Sequence, residues 1–588
     1  MTPPQPEQWP GSSEARPTLE QCLLRVEPAR LRVIAEHWGV APLPGSKPEV
    51  VAALSERMLA PGAVERAWQA LTPDEQAALE SLRASAGRMA WPTFTRRWGQ
   101  VRLMGPGRMA RERPWESPLS PTEGLWYRGL VFRLPLQAPT GLYEAALVPA
   151  ELEARFPISG FVPPFYLQPA GSPAAVCPAS DNFLDDACTL LSYLQNHAVA
   201  PGADGRWPAP DTARLTRRLR DRDPGRLALL HHLAHRLGWL RTDPAGHLRP
   251  DPQPVAAWLQ SATAEQRRTL AQAWRDDPSW NDLWHVPTLR PDDTGSWHND
   301  ALLARQAILR YLASCQPGEW YAVAAFVAAV KEADPDFQRP DGDYSNWYIR
   351  DAATGEYHHG FASWDAVEGA LIRYLITGPL FWLGLSSLGG EQETNHYGMS
   401  LFCLSGGGAD LMRHAEAAAA EPEPAPLVVR PDLTILIPAP LRYERFQVSR
   451  VADWVRVYED YVYRLTASSL ARAQEQKIST ERIVAFLQEV AGKDVPRTVS
   501  AALARWAQRG TQVRLEQGVL LRVKNEEVMR QVAAHPATRR FIREVIGPRA
   551  ALVTPGGWPR LARALVELGW VPDLSGVEET LDDDVDPG

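Results

Sequence analysis

The hydrophobic positions of this chain recur mainly at helical spacing, and short polar or Pro/Gly segments interrupt them. From residue 182 three amphipathic segments follow one another, and they are written DNFLDDACTLLSYLQNHAV, DTARLTRRLRD and GRLALLHHLAHRLGWL. The polar turn TDPAG and the phrase HLRP come next. Three helices that close on a short two-stranded hairpin are typical of the winged-helix form of helix-turn-helix. We therefore predict a winged-helix-like module over 182–290.

A similar pattern recurs further along the chain. Amphipathic segments lie at Ala301 to Cys315, Trp320 to Ala333 and Trp364 to Ile376. LFWLGL and HYGMSLFCLS alternate as strands do. These segments predict a second winged-helix-like module over 291–414. We expect its third helix to expose Asp365 and Glu368, which favours a spacer or protein-binding element because phosphate would repel an acidic helix.

The N-terminal part is also predicted to be helical. Residues 1–16 are polar and Pro-rich, which predicts disorder. Thr72, Pro73 and Glu75 supply an N-cap, a first helical residue and a capping-box partner, and Thr263 with Gln266 predicts a second capping box. We divide this part into an N-terminal helical module with an Arg/Trp-rich segment over 17–134 and a connector over 135–181.

The C-terminal part follows a linker over 415–427, which contains AEAAAAEPEPAP. A strand is predicted in LVVRPDLTILIP, helices in YEDYVYRLTASSLARAQEQ and STERIVAFLQEV, and a third helix in VPRTVSAALARWAQRG. TQVRLEQGVLLRVK predicts a hairpin that turns near Gly518, and 573–588 is an acidic tail. The expected fold class is mainly α with small β hairpins, in a multi-domain chain that contains several winged-helix-like modules.

Charge is distributed unevenly along the chain. The 588 residues carry a net charge of −8, which excludes a uniformly basic nucleic-acid binder. Residues 88–133 nevertheless have a net charge of +6 and residues 430–549 a net charge of +8, whereas the acidic tail, 573–588, has a net charge of −7. Of the 62 basic residues, 57 are Arg, and a GC-rich coding sequence accounts for this more simply than selection for phosphate contacts. Any nucleic-acid binding is therefore expected on two Arg-rich surfaces.

The cysteines and apolar runs bear on the cellular compartment. Five cysteines are scattered without a CxxC pair, which supports neither a disulfide framework nor a cysteine zinc site. The longest apolar run, Tyr374 to Leu385, has about twelve residues, whereas a membrane span needs about 20. We expect a cytoplasmic protein, compatible with association with the nucleoid, and no membrane partner.

Two groups of basic residues are candidate DNA contacts. Arg497, Arg505 and Arg509 recur at multiples of four on the last predicted helix, with Val499, Leu503 and Trp506 facing inward. Arg514, Arg522 and Lys524 lie on the hairpin that would form a wing. The alternative for these residues is an ordinary solvated surface.

The second group comes from the N-terminal basic zone, and its members are Arg96, Arg97, Arg102, Arg108 and Arg111. They are interleaved with Trp91, Trp98, Trp115 and Trp126, a combination suited to backbone contacts and base stacking. The alternative is that the tryptophans are core residues and the arginines pair with acidic neighbours.

Three phrases carry a resemblance to a known family. VVRPDLTILIP, YRLTASSLARAQEQKISTERIVAFL and VPRTVSAALARWAQR resemble, in this order, the helicase-associated domain found next to XPB-type repair and transcription helicases. Stand-alone bacterial proteins also carry this domain. The similarity spans 428–572, and FTRRWGQVRLMGPGRMARERPW followed by LWYRGLVFR also looks like the region that precedes it in such proteins. The resemblance implies a place in DNA transactions.

The resemblance does not extend to a motor. No GxxxxGK[ST] occurs in the chain, and the nearest phrase, PLPGSKPE, has the wrong spacing. LDDDV lies in the acidic tail and not on a strand. We therefore expect no enzyme activity from this chain, and helicase activity only through a separate partner.

Three further patterns resemble chemical sites. Gly105 to Ala110 fits GxGxxA, but Pro114 stops any following helix early. His231 and His235 have i, i+4 spacing without the Glu of HExxH, and we favour a solvated helix edge. Asp432 with Glu475 and Lys477 resembles a Mg²⁺ nuclease triad, but EQK does not lie on a strand. We therefore expect no cofactor and no metal.

Together these patterns predict a DNA-binding accessory or regulatory protein that binds duplex or single-stranded DNA and acts alone or with a separate helicase. The alternative is a protein-interaction scaffold, whose acidic tail occupies or mimics a DNA site. A Mg²⁺-dependent nuclease is the remote alternative.

Overall fold

The structure is a computed structural model, and it describes residues 16–40, 45–85, 87–138, 141–157, 165, 167–202, 205–295, 297–339, 341–392, 395–413, 424–491, 495–510 and 518–574. The chain divides into two compact units, Met1–Pro496 and Arg497–Gly588. Both are mainly helical and carry small antiparallel sheets, so the predicted fold class is confirmed at that level. Almost all of 1–16 and most of 415–427 and 573–588 lie outside the described residues.

The N-terminal part of the first unit is a helical layer on a three-stranded sheet. Its helices are α1 (Leu19–Arg25), α2 (Pro28–His37), α3 (Lys47–Met58), α4 (Ala63–Gln69), α5 (Pro73–Ala84), α6 (Trp91–Trp98), α7 (Pro106–Glu112), α8 (Pro121–Tyr127) and α9 (Ala150–Glu153). Its strands are β1 (Arg88–Ala90), β2 (Phe132–Ala138) and β3 (Gly141–Leu147), in the order β1-β3-β2. The predicted capping box of α5 is present, because Thr72 N–H donates to Glu75 and Glu75 N–H donates to Thr72.

The next part contains the predicted three helices and hairpin. The elements are β4 (Ala175–Cys177), α10 (Asn182–Asn196), α11 (Ala209–Thr216), α12 (Pro224–Arg236), β5 (Leu240–Thr242) and β6 (Leu248–Pro250), then α13 (Pro252–Leu259) and α14 (Thr263–Arg275). Val199 adds an isolated bridge to Leu248 beside the β5–β6 hairpin. The capping box predicted at α14 is wrong. Thr263 is the first helical residue, and the buried Gln266 amide instead donates to the carbonyls of Leu259 and Ser261.

In the region that follows, strands and helices alternate, except that two strands are consecutive before the last helix. Its elements are β7 (Leu289–Pro291), α15 (Ala301–Leu312), β8 (Trp320–Ala322), α16 (Val323–Ala333), β9 (Ile349–Asp351), α17 (Trp364–Leu375), β10 (Ser386–Gly390), β11 (Leu401–Leu404) and α18 (Gly406–Arg413). Strands β4, β10, β11 and β8 form one sheet in that order. LFWLGL is not a strand, because α17 continues into a π-helical turn, Ile376–Leu380. An apolar run without polar positions shows neither the period of a helix nor that of a strand. The sequence therefore could not distinguish a helix from a strand at this segment.

The third helix of this region, α17, is less acidic at its surface than predicted. Asp365 is exposed, but the Glu368 side chain is 1% exposed and forms an ion pair of 2.6 Å with Arg339. Gln338 donates a second hydrogen bond to the Glu368 carboxylate, and the Arg339 guanidinium stacks 3.8 Å from the Trp347 ring. Glu368 therefore holds the polar insertion, residues 334–360 between α16 and α17, against α17 and does not contribute an acidic surface.

The last part of the first unit is a four-stranded sheet with helices. The elements are β12 (Val428–Val429), β13 (Thr434–Ile437), α19 (Arg442–Val448), β14 (Asp453–Val457), β15 (Tyr461–Arg464), α20 (Ala467–Glu475) and α21 (Thr480–Val490), and the sheet order is β12-β13-β15-β14. The helix predicted through YEDYVYRL is wrong. VRVYEDYVYR instead forms the β14–β15 hairpin, as its aromatic and β-branched content favours.

A buried ionic network joins α19 to α10, so the predicted linker at 415–427 does not separate two compact units. Arg442 Nε donates to Asp185 Oδ1 at 2.9 Å, and Arg445 Nη2 donates to the Asp185 carbonyl at 2.5 Å. The Cys188 thiol donates to the Arg442 carbonyl at 3.2 Å, and Arg445 stacks 3.6 Å from the Tyr461 ring. Arg442 and Arg445 are 1% and 0% exposed. Residues 427–465 are thus anchored to α10 by the buried guanidinium groups of Arg442 and Arg445, which bond to Asp185.

The second unit combines helices with a three-stranded sheet. Its elements are α22 (Arg497–Arg509), β16 (Leu520–Arg522), α23 (Glu526–Ala534), α24 (Pro536–Arg539), β17 (Ile542–Gly547), β18 (Ala550–Val553) and α25 (Trp558–Glu567), with strand order β16-β18-β17. Its small core contains Val532, Phe541, Val553, Leu561 and Leu565. β16 pairs with β18, whereas residues 511–517, the other arm of the predicted hairpin, lie outside the described residues.

We predict that Arg442→Met destabilises the protein strongly. The change removes the closest cation of the buried Asp185 carboxylate and leaves only Arg220, 3.8 Å away, as its ion-pair partner; removing one partner of a buried ion pair costs about 3–5 kcal/mol. Urea unfolding followed by tryptophan fluorescence measures the loss. The matched control is Arg108→Met, which removes an exposed i, i+4 ion pair with Glu112 and is expected to change the unfolding free energy by less than about 0.5 kcal/mol. Equal effects of the two changes would contradict the anchoring role of Arg442.

Candidate nucleic-acid interface

Helix α22 carries three arginines on the side opposite its buried residues. Val499 and Leu503 are buried, and Trp506 is half-buried. At about 100° per residue, Arg497, Arg505 and Arg509 span an arc of about 120° whose centre lies about 160° from the buried pair. All three are exposed, as the sequence analysis expects. α22 thus has one apolar face and one cationic face.

The cationic face of α22 is free for a partner. Within the described ranges, no hydrogen bond or ion pair engages the guanidinium groups of Arg497, Arg505 or Arg509. The short side chains of Thr498 and Ala501 lie on the same arc as the arginines. Arginine presents a planar fork of donors that matches phosphate oxygens or a guanine edge. Small residues between such arginines let the helix backbone come close to a surface.

The remaining candidates in the second unit lie on and next to β16. Arg522 is the last residue of β16, Lys524 follows two residues later, and both are exposed. Arg514 lies outside the described residues. The described residues of this unit, 497–510 and 518–574, contain 12 basic and 5 acidic side chains. The excess of positive charge therefore belongs to the described residues of this unit, because the six acidic residues of 575–588 nearly cancel it over the unit as a whole.

Part of the C-terminal basic zone is unavailable to a ligand. Arg442 and Arg445 both count in the +8 of residues 430–549, and both are buried in the network with Asp185. The sequence count therefore overstates the cationic surface. No sequence signal separates these two arginines from the exposed ones, since their partner is more than 250 residues away.

The N-terminal basic zone is engaged in internal contacts. Arg102 forms an ion pair of 2.7 Å with Glu123, whose side chain is 0% exposed. Burial by itself raises the pKa of the Glu123 carboxyl, but hydrogen bonds from Arg102 and from the backbone amides of Leu119 and Arg102 bring it below its ordinary value. The same hydrogen bond raises the pKa of Arg102. Arg102 is thus the counter-ion of a buried carboxylate, which weighs against a role in DNA contact.

Arg96 has a similar internal role. Its guanidinium contacts Asp336 at 2.9 Å and stacks 4.2 Å from the Phe361 ring and 5.0 Å from the Tyr344 ring. Burial raises the pKa of Asp336 to about 6. Arg96 therefore links the N-terminal part of the first unit to the polar insertion before α17.

The other three candidates of this zone are exposed. They are Arg97, Arg108, which pairs with Glu112, and Arg111. Trp91 is buried, Trp98 donates to Ser81 at 3.0 Å, and Trp126 stacks on Arg30 at 3.3 Å. The tryptophans are therefore mainly packing residues. This favours the interpretation in which the tryptophans of this zone belong to the core and its arginines pair with acidic neighbours.

The other chemical patterns resolve into local structure. Gly105 is the N-cap of α7, a helix of only seven residues. Asp432 lies in the β12–β13 turn, where its carboxylate accepts from Thr434 N–H at 3.1 Å, and Glu475 is the last residue of α20. Neither arrangement has the geometry that its motif requires.

The histidine pair lies on α12. His231 Nε2 accepts from Trp207 Nε1 at 3.2 Å and lies 3.1 Å from His235 Nε2. Burial lowers the pKa of His231 to about 4. In the described ranges, no group of three or more His, Cys, Asp or Glu side chains could hold a metal ion.

No helix in the described part of the chain is long and apolar enough to cross a membrane.

We predict that Arg102→Met lowers stability without changing DNA binding. Glu123 would lose its cation while remaining buried, at a cost of about 3–5 kcal/mol. Urea unfolding measures this cost, and fluorescence anisotropy with labelled DNA over a salt series measures the binding. Arg111→Met, which removes an exposed arginine of the same zone, controls for lost charge. If Arg102→Met instead reduced the slope of log DNA affinity against log salt concentration and left the unfolding free energy unchanged, Arg102 would be a DNA contact.

The model of a family described as the helicase conserved C-terminal domain matches residues 427–546. No curated protein matches the chain. The match begins just before β12, includes α22 and β16, and ends within β17. It supports the helicase-associated domain predicted over 428–572, and it covers parts of both compact units.

Proposed function

We propose that this protein is a DNA-binding accessory or regulatory protein without a motor of its own, and that α22 is the element that meets DNA. The observation that carries the proposal is the exposed face of Arg497, Arg505 and Arg509 on a helix inside a helicase C-terminal match. The protein would act alone or beside a separate helicase, in the manner of the non-motor part of XPB-type helicases.

The dimensions of a helix favour this role for α22. An α-helix with its side chains is about 10–12 Å wide, close to the width of about 12 Å of the major groove. The buried side of α22 would keep the helix on the protein, while the arginines reach phosphates on the groove walls or guanine edges on its floor. Arg522 and Lys524 would add backbone contacts from β16, as a wing does.

Two regions of the first unit support a winged-helix architecture. In 182–250, three helices precede the β5–β6 hairpin. In 301–404, the order is helix–strand–helix–strand–helix–strand–strand; the first strand, β8, pairs with the last, β11, whereas β9 pairs with β7. We propose that these regions are winged-helix modules.

The absence of a motor is proposed from the sequence. No GxxxxGK[ST] loop occurs in these 588 residues, and a helicase needs such a loop to cradle nucleotide phosphates. Energy for strand separation would then come from a partner.

A second function, protein binding by the first unit, is favoured by one surface. Trp284, Tyr348 and Tyr357 are 40%, 41% and 39% exposed, and acidic residues such as Asp293 and Asp343 are exposed in the same segments. Exposed aromatic side chains are enriched at protein interfaces. Such a surface fits a cationic protein partner better than DNA.

We predict that the triple change Arg497→Glu, Arg505→Glu and Arg509→Glu weakens DNA binding by at least about 100-fold at low salt. Three lost phosphate contacts reduce the slope of log affinity against log salt by about 3 for duplex DNA. Fluorescence anisotropy with a labelled duplex and a labelled single strand at several salt concentrations measures both quantities.

The matched control reverses three exposed arginines elsewhere in the second unit, Arg549→Glu, Arg560→Glu and Arg563→Glu. This control changes net charge by the same amount but leaves α22 intact, so a much smaller loss is expected. Equal losses in both variants would contradict a binding site on α22. Absence of DNA binding by the unaltered protein at low salt would favour the protein-binding function.

A further inference from the structure

A cavity of about 180 Å³ lies within the first unit, between α10 and the β14–α20 segment. Its wall includes Tyr193 and His197 on α10, Arg218 just after α11, and Trp454 on β14. The opposing segments are more than 220 residues apart in sequence. The cavity therefore exists only because residues 427–475 pack on α10.

Arg218 is the central cation of this cavity. Its guanidinium lies 5.1 Å from the Tyr193 ring and 5.6 Å from the Trp454 ring. It forms no hydrogen bond or ion pair with any other side chain or carbonyl in the described part of the chain. Burial lowers the pKa of Arg218 below its ordinary value, because the loss of water outweighs the attraction of nearby groups such as Asp453. Two aromatic rings hold it in place but leave its donors unused.

The wall contains two further donors without acceptors. Trp454 Nε1 and Arg472 Nε are closed to solvent and have no hydrogen-bond partner among the described residues. A buried polar group without a partner costs about 1–3 kcal/mol. An occupant that accepts hydrogen bonds would remove part of this cost.

The one carboxylate in the wall is already neutralised. Asp453 accepts from Arg472 Nη2 at 2.9 Å and from Ser468 Oγ at 3.2 Å, and Thr466 Oγ also donates to it. Burial lowers the pKa of His197, and its Nδ1 lies 2.9 Å from the Tyr193 carbonyl, so at neutral pH the ring is uncharged and donates there. Arg218 is thus the charge of the cavity that nothing balances.

The size and the polar atoms of the cavity define its occupant. Pockets for drug-sized ligands measure about 300–1,000 Å³, and one water fills about 30 Å³. A cavity of about 180 Å³ admits a single phosphate-sized group and not a whole nucleotide. Asn196 Oδ1, a wall acceptor without a partner among the described residues, would receive the O–H of a hydrogen phosphate.

We propose that this cavity is a binding site for a phosphate-like oxyanion, with Arg218 as its principal ligand and with Trp454 Nε1 and Arg472 Nε as further donors. The oxyanion comes either from free inorganic phosphate or from the terminal phosphate of a nucleic acid. The site is separate from α22, and it does not depend on the function proposed for that helix.

Isothermal titration of the full chain with sodium phosphate in a phosphate-free buffer tests the site. We expect saturable binding that Arg218→Gln weakens by at least about 10-fold, since charge-assisted hydrogen bonds dominate anion recognition. Trp454→Phe removes one donor but keeps the ring, so a smaller loss is expected. The matched control is Arg217→Gln, which changes the exposed neighbouring arginine and should leave phosphate affinity unchanged.

Thermal unfolding provides a second measurement that reports folding and binding together. Phosphate that binds the folded state raises the midpoint of the unaltered protein by mass action. Arg218→Lys, which keeps the charge, should retain part of this rise, whereas Arg218→Gln should show none.

A titration with oligo(dT), with and without a 5′-phosphate, distinguishes the two sources. Binding of inorganic phosphate identifies a free anion as sufficient. An effect of Arg218→Gln that appears only with the 5′-phosphorylated strand identifies a nucleic-acid end. If Arg218→Gln alters neither titration, the proposal is overturned. The triple α22 variant should keep its phosphate affinity, so failure of the DNA-binding proposal would be seen separately.

Discussion

Asp185 anchors the segment that carries the start of the helicase match, because both Arg442 and Arg445 of α19 bond to this residue of α10 in the interior. Moving two guanidinium groups and a carboxylate out of water is costly, and the cost is offset only where geometry and hydrogen bonds are good. Cys188 and Tyr461 complete these contacts. The cavity that holds Arg218 depends on the same docking, since its two walls come from the two sides of this junction.

The arginines of this protein fall into two physical classes. Arg102, Arg305, Arg339 and Arg442 each neutralise a carboxylate that is nearly inaccessible to water. The arginines on the outer face of α22 have no such partner in the described residues and remain hydrated. A hydrated arginine can exchange water and counterions for phosphate, whereas a buried one would first have to leave its carboxylate unpaired. The absence of a carboxylate partner therefore decides which arginines can serve recognition.

The helicase match spans two compact units with different chemistry. Its first half packs against α10 through buried charge, and its second half contains α22 and the small sheet of the second unit. The first unit contains large tryptophan-rich cores, whereas the second has a small core and, in its described residues, an excess of basic side chains. This division fits a protein in which one part provides the framework and the other provides a cationic surface.

The sequence by itself determined the local features: the mainly helical fold class, the capping box of α5, the three helices and hairpin after residue 182, and the amphipathic α22. Each depends on neighbours within about one or two helical turns. Only the tertiary structure decided that Glu368 and Arg442 are buried, that Arg102 pairs with the buried Glu123, and that Arg218 lines a cavity. Ion pairs such as Arg442–Asp185 join residues far apart in the chain, and no local pattern encodes which distant charge a side chain will meet.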